Sequence, residues 1–369
     1  MNKKWIIILI PLIIFLAPAA ATWIQNKLAK ESTVTTPSAQ ELRNRAIKAG
    51  FKPNPKTKEE LFTIYTDPPS KELIALGKAL FFDPILSKDG TISCASCHIL
   101  SRGGDDNRPT AVGYHGKKNP FHLNSPTVLN AAEQKFQFWD ARAKTLQEQA
   151  AGPITAPFEM ALTPKEAVEK IAQSPYKKRF EEIFKNGVTF QNITKAIAAY
   201  EKTLLTRSRF DLFLEGNLTA LSKKEQQGLS LFMDIGCKAC HFGRSIGGQI
   251  VQKFPIRAYN NFFYPHFEFR NGYYIFRKIV FQKPSSKPFP FDNRGGFLGK
   301  NMSKRFKVPV LRDIARTAPY FHNGSVQKLE DAIRIMAKHQ RSAILTDTQT
   351  EELAAFLRSL SGELVDYGF

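Results

Sequence analysis

Apolar residues recur at helical spacing along much of this chain, in stretches that open on cap-like residues. Ile193 to Leu205 carries such a stripe. Thr163-Pro164-Lys165-Glu166 joins an N-cap to a proline at the first helical position and predicts a helix from Ala167 to Gln173. Ser325 to Met336 and Thr346 to Leu360 predict two more near the C-terminus. Two segments look like diverged copies of one unit. Leu76-Gly77-Lys78-Ala79-Leu80-Phe81-Phe82 precedes Cys94-Ala95-Ser96-Cys97-His98, and Gln227-Gly228-Leu229-Ser230-Leu231-Phe232 precedes Cys237-Lys238-Ala239-Cys240-His241. A repeat of such long period implies duplication of a small helical domain, with a boundary near Arg207 to Phe210.

One segment breaks the helical pattern. From Phe254 to Phe291 aromatics alternate with Arg and Lys, and Glu268 is the sole acid. His266 to Arg270 and Tyr273 to Arg277 flank Asn271-Gly272, a strong hairpin signal. The segment 254–291 reads first as a β-ribbon packed on the second domain; a docking surface for a partner or a membrane is the alternative.

The N-terminus carries Lys3 and Lys4, then no charge from Trp5 to Gln25, with Ala19-Ala20-Ala21 near the end of that run. Residues 1–24 therefore read as a secretory signal, or, since residues 5–23 could span a bilayer, as a retained membrane anchor. Either way the body of the protein is expected in a periplasm, soluble after cleavage or tethered to the inner membrane. Residues 25–60 are polar with scattered Pro and Lys and read as a linker.

Cysteine usage then narrows the chemistry. The chain has four, Cys94, Cys97, Cys237 and Cys240, and each falls within Cys-x-x-Cys-His. An exported protein could spend four cysteines on two disulfides, but this spacing reads as covalent attachment of two c-type haems, with His98 and His241 as proximal ligands. The 30 Phe residues suit the faces of a large apolar ring. A net charge of +20 favours an acidic partner or an anionic surface. Nucleic acid is not expected as a partner of an exported haem protein.

From about residue 60 to the end, the chain resembles the bacterial dihaem cytochrome c peroxidases. Leu76 to His98 is similar to that family's first haem segment. Asn124-Ser125-Pro126-Thr127, Phe138-Trp139-Asp140, Glu148-Gln149-Ala150 and Phe158-Glu159-Met160 resemble its inter-haem and active-site segments. Phe306 to Arg312 and Thr317 to His322 resemble its second-domain signature. The resemblance implies a mainly α fold of two cytochrome c-like haem domains with a small β-ribbon insertion. Residues 61–208 would form the peroxidatic domain and 209–369 the electron-transfer domain.

It also implies roles. Met336 would be the distal ligand of the His241 haem, with His339 as fallback. Glu159 would handle protons above the His98 haem, Gln149 would orient peroxide, and Trp139 would relay electrons between the haems. Asn124, with the carbonyls of Thr317 and Pro319, would hold Ca²⁺. Hydrogen peroxide would be the substrate, a small cytochrome c or cupredoxin the electron donor, and a homodimer the working form.

Two departures from the family pattern stand out. Where the family often has a distal His that leaves the first haem on reduction, this chain reads Gly113-Tyr114-His115-Gly116. His115 is the first candidate for that ligand, with His122, Tyr114 or no ligand as alternatives. Ala141 and Asp313 stand where the family shows Gly and Asn. Two rival readings are a dihaem electron carrier without catalysis and a dihaem enzyme that oxidises a partner protein. The second carries Tyr where this chain has Met336.

Overall fold

A computed structural model describes residues 37–256, 263–270, 273–281 and 289–369. Within these residues the chain is mainly helical, with three small sheets. Two cores organise it. One is built from residues between Leu73 and Leu204, the other from Leu42, Ala46 and Phe51 together with residues between Phe210 and Leu360.

The duplicated unit is visible in how each core begins. Helix Lys71–Phe82 is capped by the Ser70 hydroxyl and buries Leu73, Ile74, Leu76, Leu80 and Phe81. It crosses helix Phe190–Glu201 so closely that a Cβ on Gly77 would lie 1.8 Å from the Ala196 carbonyl oxygen. In the second half, helix Lys223–Asp234 opens on a Ser222/Glu225 capping box and crosses helix Asp347–Ser359. There a Cβ on Gly228 would lie 1.9 Å from the Glu352 carbonyl oxygen. Only glycine permits either crossing, so Gly77 and Gly228 hold corresponding places in the two units.

Thr163 caps helix Pro164–Ala172 with Glu166 completing the box, as its sequence predicts. The expected helix from Ser325 instead runs Leu329–Arg341. The Ser325 hydroxyl donates to the Asp292 carbonyl at 2.6 Å, and the Val326 carbonyl accepts the Tyr320 N–H at 2.7 Å. Those bonds keep the chain extended until Lys328, and the helix ends where Ser342 adopts a left-handed conformation.

Residues 25–60 are not a tether throughout. Helix Ala39–Lys48 is capped by Ser38, and Leu42, Ala46 and Phe51 are buried in the core of the C-terminal half. The other end of the chain crosses back in the opposite direction. Glu363–Leu364 pairs with Thr206–Arg207, and Tyr367 joins Leu61 and Leu205 in a small core of their own. Both chain ends thus pack against the half of the chain opposite their own.

The aromatic segment forms antiparallel strands Phe263–Arg270 and Tyr273–Phe281. Ala343–Ile344 adds a third strand, parallel to the first. Phe269 is buried in the C-terminal core and its carbonyl accepts the Gln349 amide at 2.5 Å. The ribbon thus packs on the second half, and the Asn271-Gly272 turn lies outside the described residues. No described helix is long and apolar enough to cross a membrane; segment 1–24 also lies outside the described residues.

Asp211 and Arg312 form a fully buried, two-armed ion pair, both arms at 2.8 Å. Removing one partner leaves an uncompensated buried charge, which costs about 3–5 kcal/mol. Asp211→Ala should lower the unfolding free energy by about that amount in denaturant titration of the haem-loaded protein. A loss below about 1 kcal/mol would contradict this account of the pair.

Candidate active site

Each Cys-x-x-Cys-His motif forms part of the wall of a large cavity. The first is lined by Cys94, Cys97 and His98, with Val112, Leu123, Phe138, Ile154 and Ile197 among its apolar walls. The second is lined by Cys237, Cys240 and His241, with Phe232, Phe306, Val310, Ile333 and Met336. No disulfide joins any of the four cysteines.

The histidines are prepared as metal ligands. His98 Nδ1 lies 3.1 Å from the Gly104 carbonyl oxygen, and His241 Nδ1 lies 3.4 Å from that of Ile246. A carbonyl can only accept, so Nδ1 carries the proton and Nε2 keeps its lone pair. Burial lowers the His98 imidazole and pulls that of His241 down to about 4, which keeps both neutral at physiological pH. Two thiols and a neutral imidazole on one apolar wall, in each cavity, fit covalent haem.

Gln149, Pro153 and Glu159 line the same first cavity. Gln149 rides on helix Leu146–Thr155, whose first turn is capped by the Thr145 hydroxyl. Glu159 is held by its backbone: its N–H donates to the Ala156 carbonyl at 2.9 Å and its carbonyl accepts the Tyr114 N–H at 2.7 Å. Gly113 presses on the same turn, where a Cβ would lie 2.5 Å from Glu159 Cα. Burial raises the Glu159 carboxyl above the usual range, and the nearby Arg142 offsets part of that rise. The Arg142 guanidinium itself lies 3.4 Å over the Phe138 ring and donates to Asp140.

That clamp also decides the fate of the loop's histidine. With Tyr114 bonded to Glu159, His115 turns outward at φ 54°. Its side chain is 63% exposed, stacks on Tyr114 and lies 3.9 Å from an Asp89 carboxylate oxygen. Neither His115, His122 nor Tyr114 lines the first cavity. The expectation of His115 as distal ligand is not met in this conformation. Met336 does line the second cavity, whereas His339, buried one turn further, does not.

The two cavities share a wall made of Asn124 to Thr127, Trp139 and Lys307. The Trp139 indole N–H donates to the Asn124 carbonyl at 2.9 Å. Asn124, Thr317, Pro319 and Asp105 all line the second cavity.

Three groups at these walls carried no role in the sequence reading. Burial pushes Glu201 up to about 8 and Asp105 up to about 7, and each has a carboxyl oxygen without a hydrogen-bond partner. Lys307 is buried as well. Glu201 stands four residues after Ile197 on the buried stripe of its helix, a position where an acid is out of place. That was the available signal; Asp105 and Lys307 had none.

The di-haem cytochrome c peroxidase family model matches residues 71–219. The chain is 41% identical to the cytochrome c551 peroxidase of Nitrosomonas europaea, covering 81% of this chain and 83% of that one. It is 40% identical to the cytochrome c551 peroxidase of Pseudomonas aeruginosa, covering 89% of each. The methylamine utilization protein MauG of Methylorubrum extorquens is 30% identical over 90% of this chain and 89% of its own. Among solved structures, a MauG-like protein associated with microbial copper homeostasis superposes with a TM-score of 0.61 at 28% identity, covering 82% of this chain and 96% of that one.

Because His115 faces solvent, His115→Ala should leave the optical spectrum of the haem on His98 unchanged in the isolated protein. Conversion of a six-coordinate to a five-coordinate spectrum would show that His115 reaches the iron.

Proposed function

The chain belongs to the di-haem cytochrome c peroxidase family, and from that membership we propose that it reduces hydrogen peroxide to water with electrons from a small redox protein. The balance is one peroxide, two protons and two electrons to two waters. When bound, the two haems supply electron storage at His241 and Met336 and a peroxide-accepting iron at His98. The observation that carries the reading is that Glu159 and Gln149 line the same cavity as His98.

The residues divide the work as follows. The Glu159 carboxylate takes the proton from one peroxide oxygen and returns it to the other, acting as general base and then general acid. Its raised carboxyl suits that double role, since proton release is easier to reverse near neutral pH. The Gln149 amide orients peroxide, and the surrounding apolar wall limits competing water. Trp139 spans the shared wall as the electron relay. With Gln149, Pro153 and Glu159 rather than a loop histidine lining the first cavity, the enzyme turns over without reductive activation. Met336 at the second cavity, in place of a tyrosine, supports the peroxidase over the partner-oxidising reading.

Asn124 and the carbonyls of Thr317 and Pro319 offer hard oxygen donors for Ca²⁺ on the second cavity's wall. The charge of +20 favours an acidic docking face on the donor. Residues 1–24 support export to a periplasm, and a homodimer follows the family resemblance.

Glu159→Gln should cut kcat/KM by about 10²- to 10⁴-fold while both haems stay attached. In the unmutated enzyme the active carboxylate is lost as pH falls through a pKa above the ordinary glutamate value of about 4.3. The acid limb of the kcat/KM profile should therefore lie above that value. Near-normal turnover by Glu159→Gln would remove Glu159 from the mechanism.

A further inference from the structure

Among the described residues, Lys307 is the one cation that lines both cavities. It is 3% exposed and lies on strand Arg305–Lys307, paired with Val251–Lys253 from the loop that follows the second haem motif. Its backbone N–H donates to the Trp139 carbonyl at 2.8 Å, which ties it to the same wall as the indole. Its ammonium donates to Gln134 Oε1 at 2.5 Å. Gln134 is itself wedged against Gly248, where a Cβ would lie 2.3 Å from Gln134 Cγ, so the amide has little room to move.

Gln134 is neutral, and no described carboxylate lies within ion-pair distance of Lys307. Burying an ammonium costs several kcal/mol unless an anion answers it. Burial does lower the Lys307 ammonium, to about 8, which still leaves it mostly charged at neutral pH. The one kind of anion that both cavities would share is the carboxylate side groups that every c-type haem carries.

We propose that Lys307 pairs with a haem carboxylate from each cavity, so that one ammonium sets the reduction potentials of both haems together. This rests on the two-haem reading above. Lys307 touches no reacting atom in this role; it is a positioning and charge-setting residue. A cation beside each ring disfavours the oxidised, more positive iron, so it holds both potentials up. One shared charge would shift both potentials in the same direction, on top of whatever separates them elsewhere.

The test is spectroelectrochemical titration of the haem-loaded full chain with Lys307→Met and Lys307→Arg. Pyridine haemochrome first counts the haems. With two haems per chain, Lys307→Met should lower both midpoint potentials and Lys307→Arg should keep both near the starting values. A shift of one potential alone, or of neither, overturns the shared pairing while leaving the peroxidase reading intact. Equal shifts in Met and Arg variants would also overturn it, since they would reflect lost packing rather than lost charge. If Lys307→Met does not retain two haems, Lys307→Gln removes the charge while keeping an amide donor for Gln134, and the same comparison applies. Fewer than two haems in the unmutated protein would overturn both readings.

Discussion

The buried pair of Arg312 and Asp211 is the constraint on which the arrangement of the two cavities depends. Its two arms are both 2.8 Å, and neither side chain is exposed. Each partner is further committed. Asp211 accepts the N–H groups of Asn54 and Ser208, while Arg312 Nε donates to the Arg244 carbonyl and its terminal nitrogen reaches that of Lys52. Four stretches of chain thus converge on one charge pair: the N-terminal arm, the junction near residue 208, the loop after the second haem motif, and Phe306 to Arg312. A buried pair satisfied on all sides costs little net stability but tolerates few alternative arrangements. The stretch leading to Arg312 carries Lys307, Val308, Pro309 and Val310 along the second cavity, so fixing Arg312 fixes the wall.

That wall gives the fold its functional sense. Two helical units, each closed by a glycine-mediated crossing, can hold a ring apiece. What a pair of units adds is a thin partition with Trp139 and Lys307 in it. In the function proposed above, electrons entering at one ring pass by Trp139 to the other, while the proton chemistry stays with Glu159 in the first cavity. Separation of electron entrance from proton handling lets each ring be tuned by its own surroundings.

Much of this was legible in the sequence where chemistry or local geometry restricts the residue choice. Covalent haem demands two thiols and an imidazole at one spacing, so both attachment sites stood out. Capping boxes at Thr163 and Thr346 are local devices, and both helices start there. The strands around Asn271-Gly272 followed from turn chemistry. What depends on long-range packing was hidden. Leu42 and Ala46 are a narrow stripe in a polar stretch, and only the facing core makes that stretch a structural arm rather than a linker. Ser325 opens no helix because Asp292 and Tyr320 claim its neighbourhood first. His115 has the ligand chemistry, but Gly113 and Tyr114 dock on the Glu159 turn and send it outward. Lys307 looked like any strand lysine until two cavities were found on either side of it.

The central claim is that the first cavity is a peroxide-reducing site already open for substrate. Its most direct test is peroxide-dependent oxidation of a reduced small cytochrome c by the fully oxidised, haem-loaded protein, compared with the same protein after ascorbate pre-reduction. The account predicts turnover in both states at comparable rates. Turnover only after pre-reduction would contradict the open site, and no turnover in either state with a cytochrome or a cupredoxin donor would contradict the peroxidase itself.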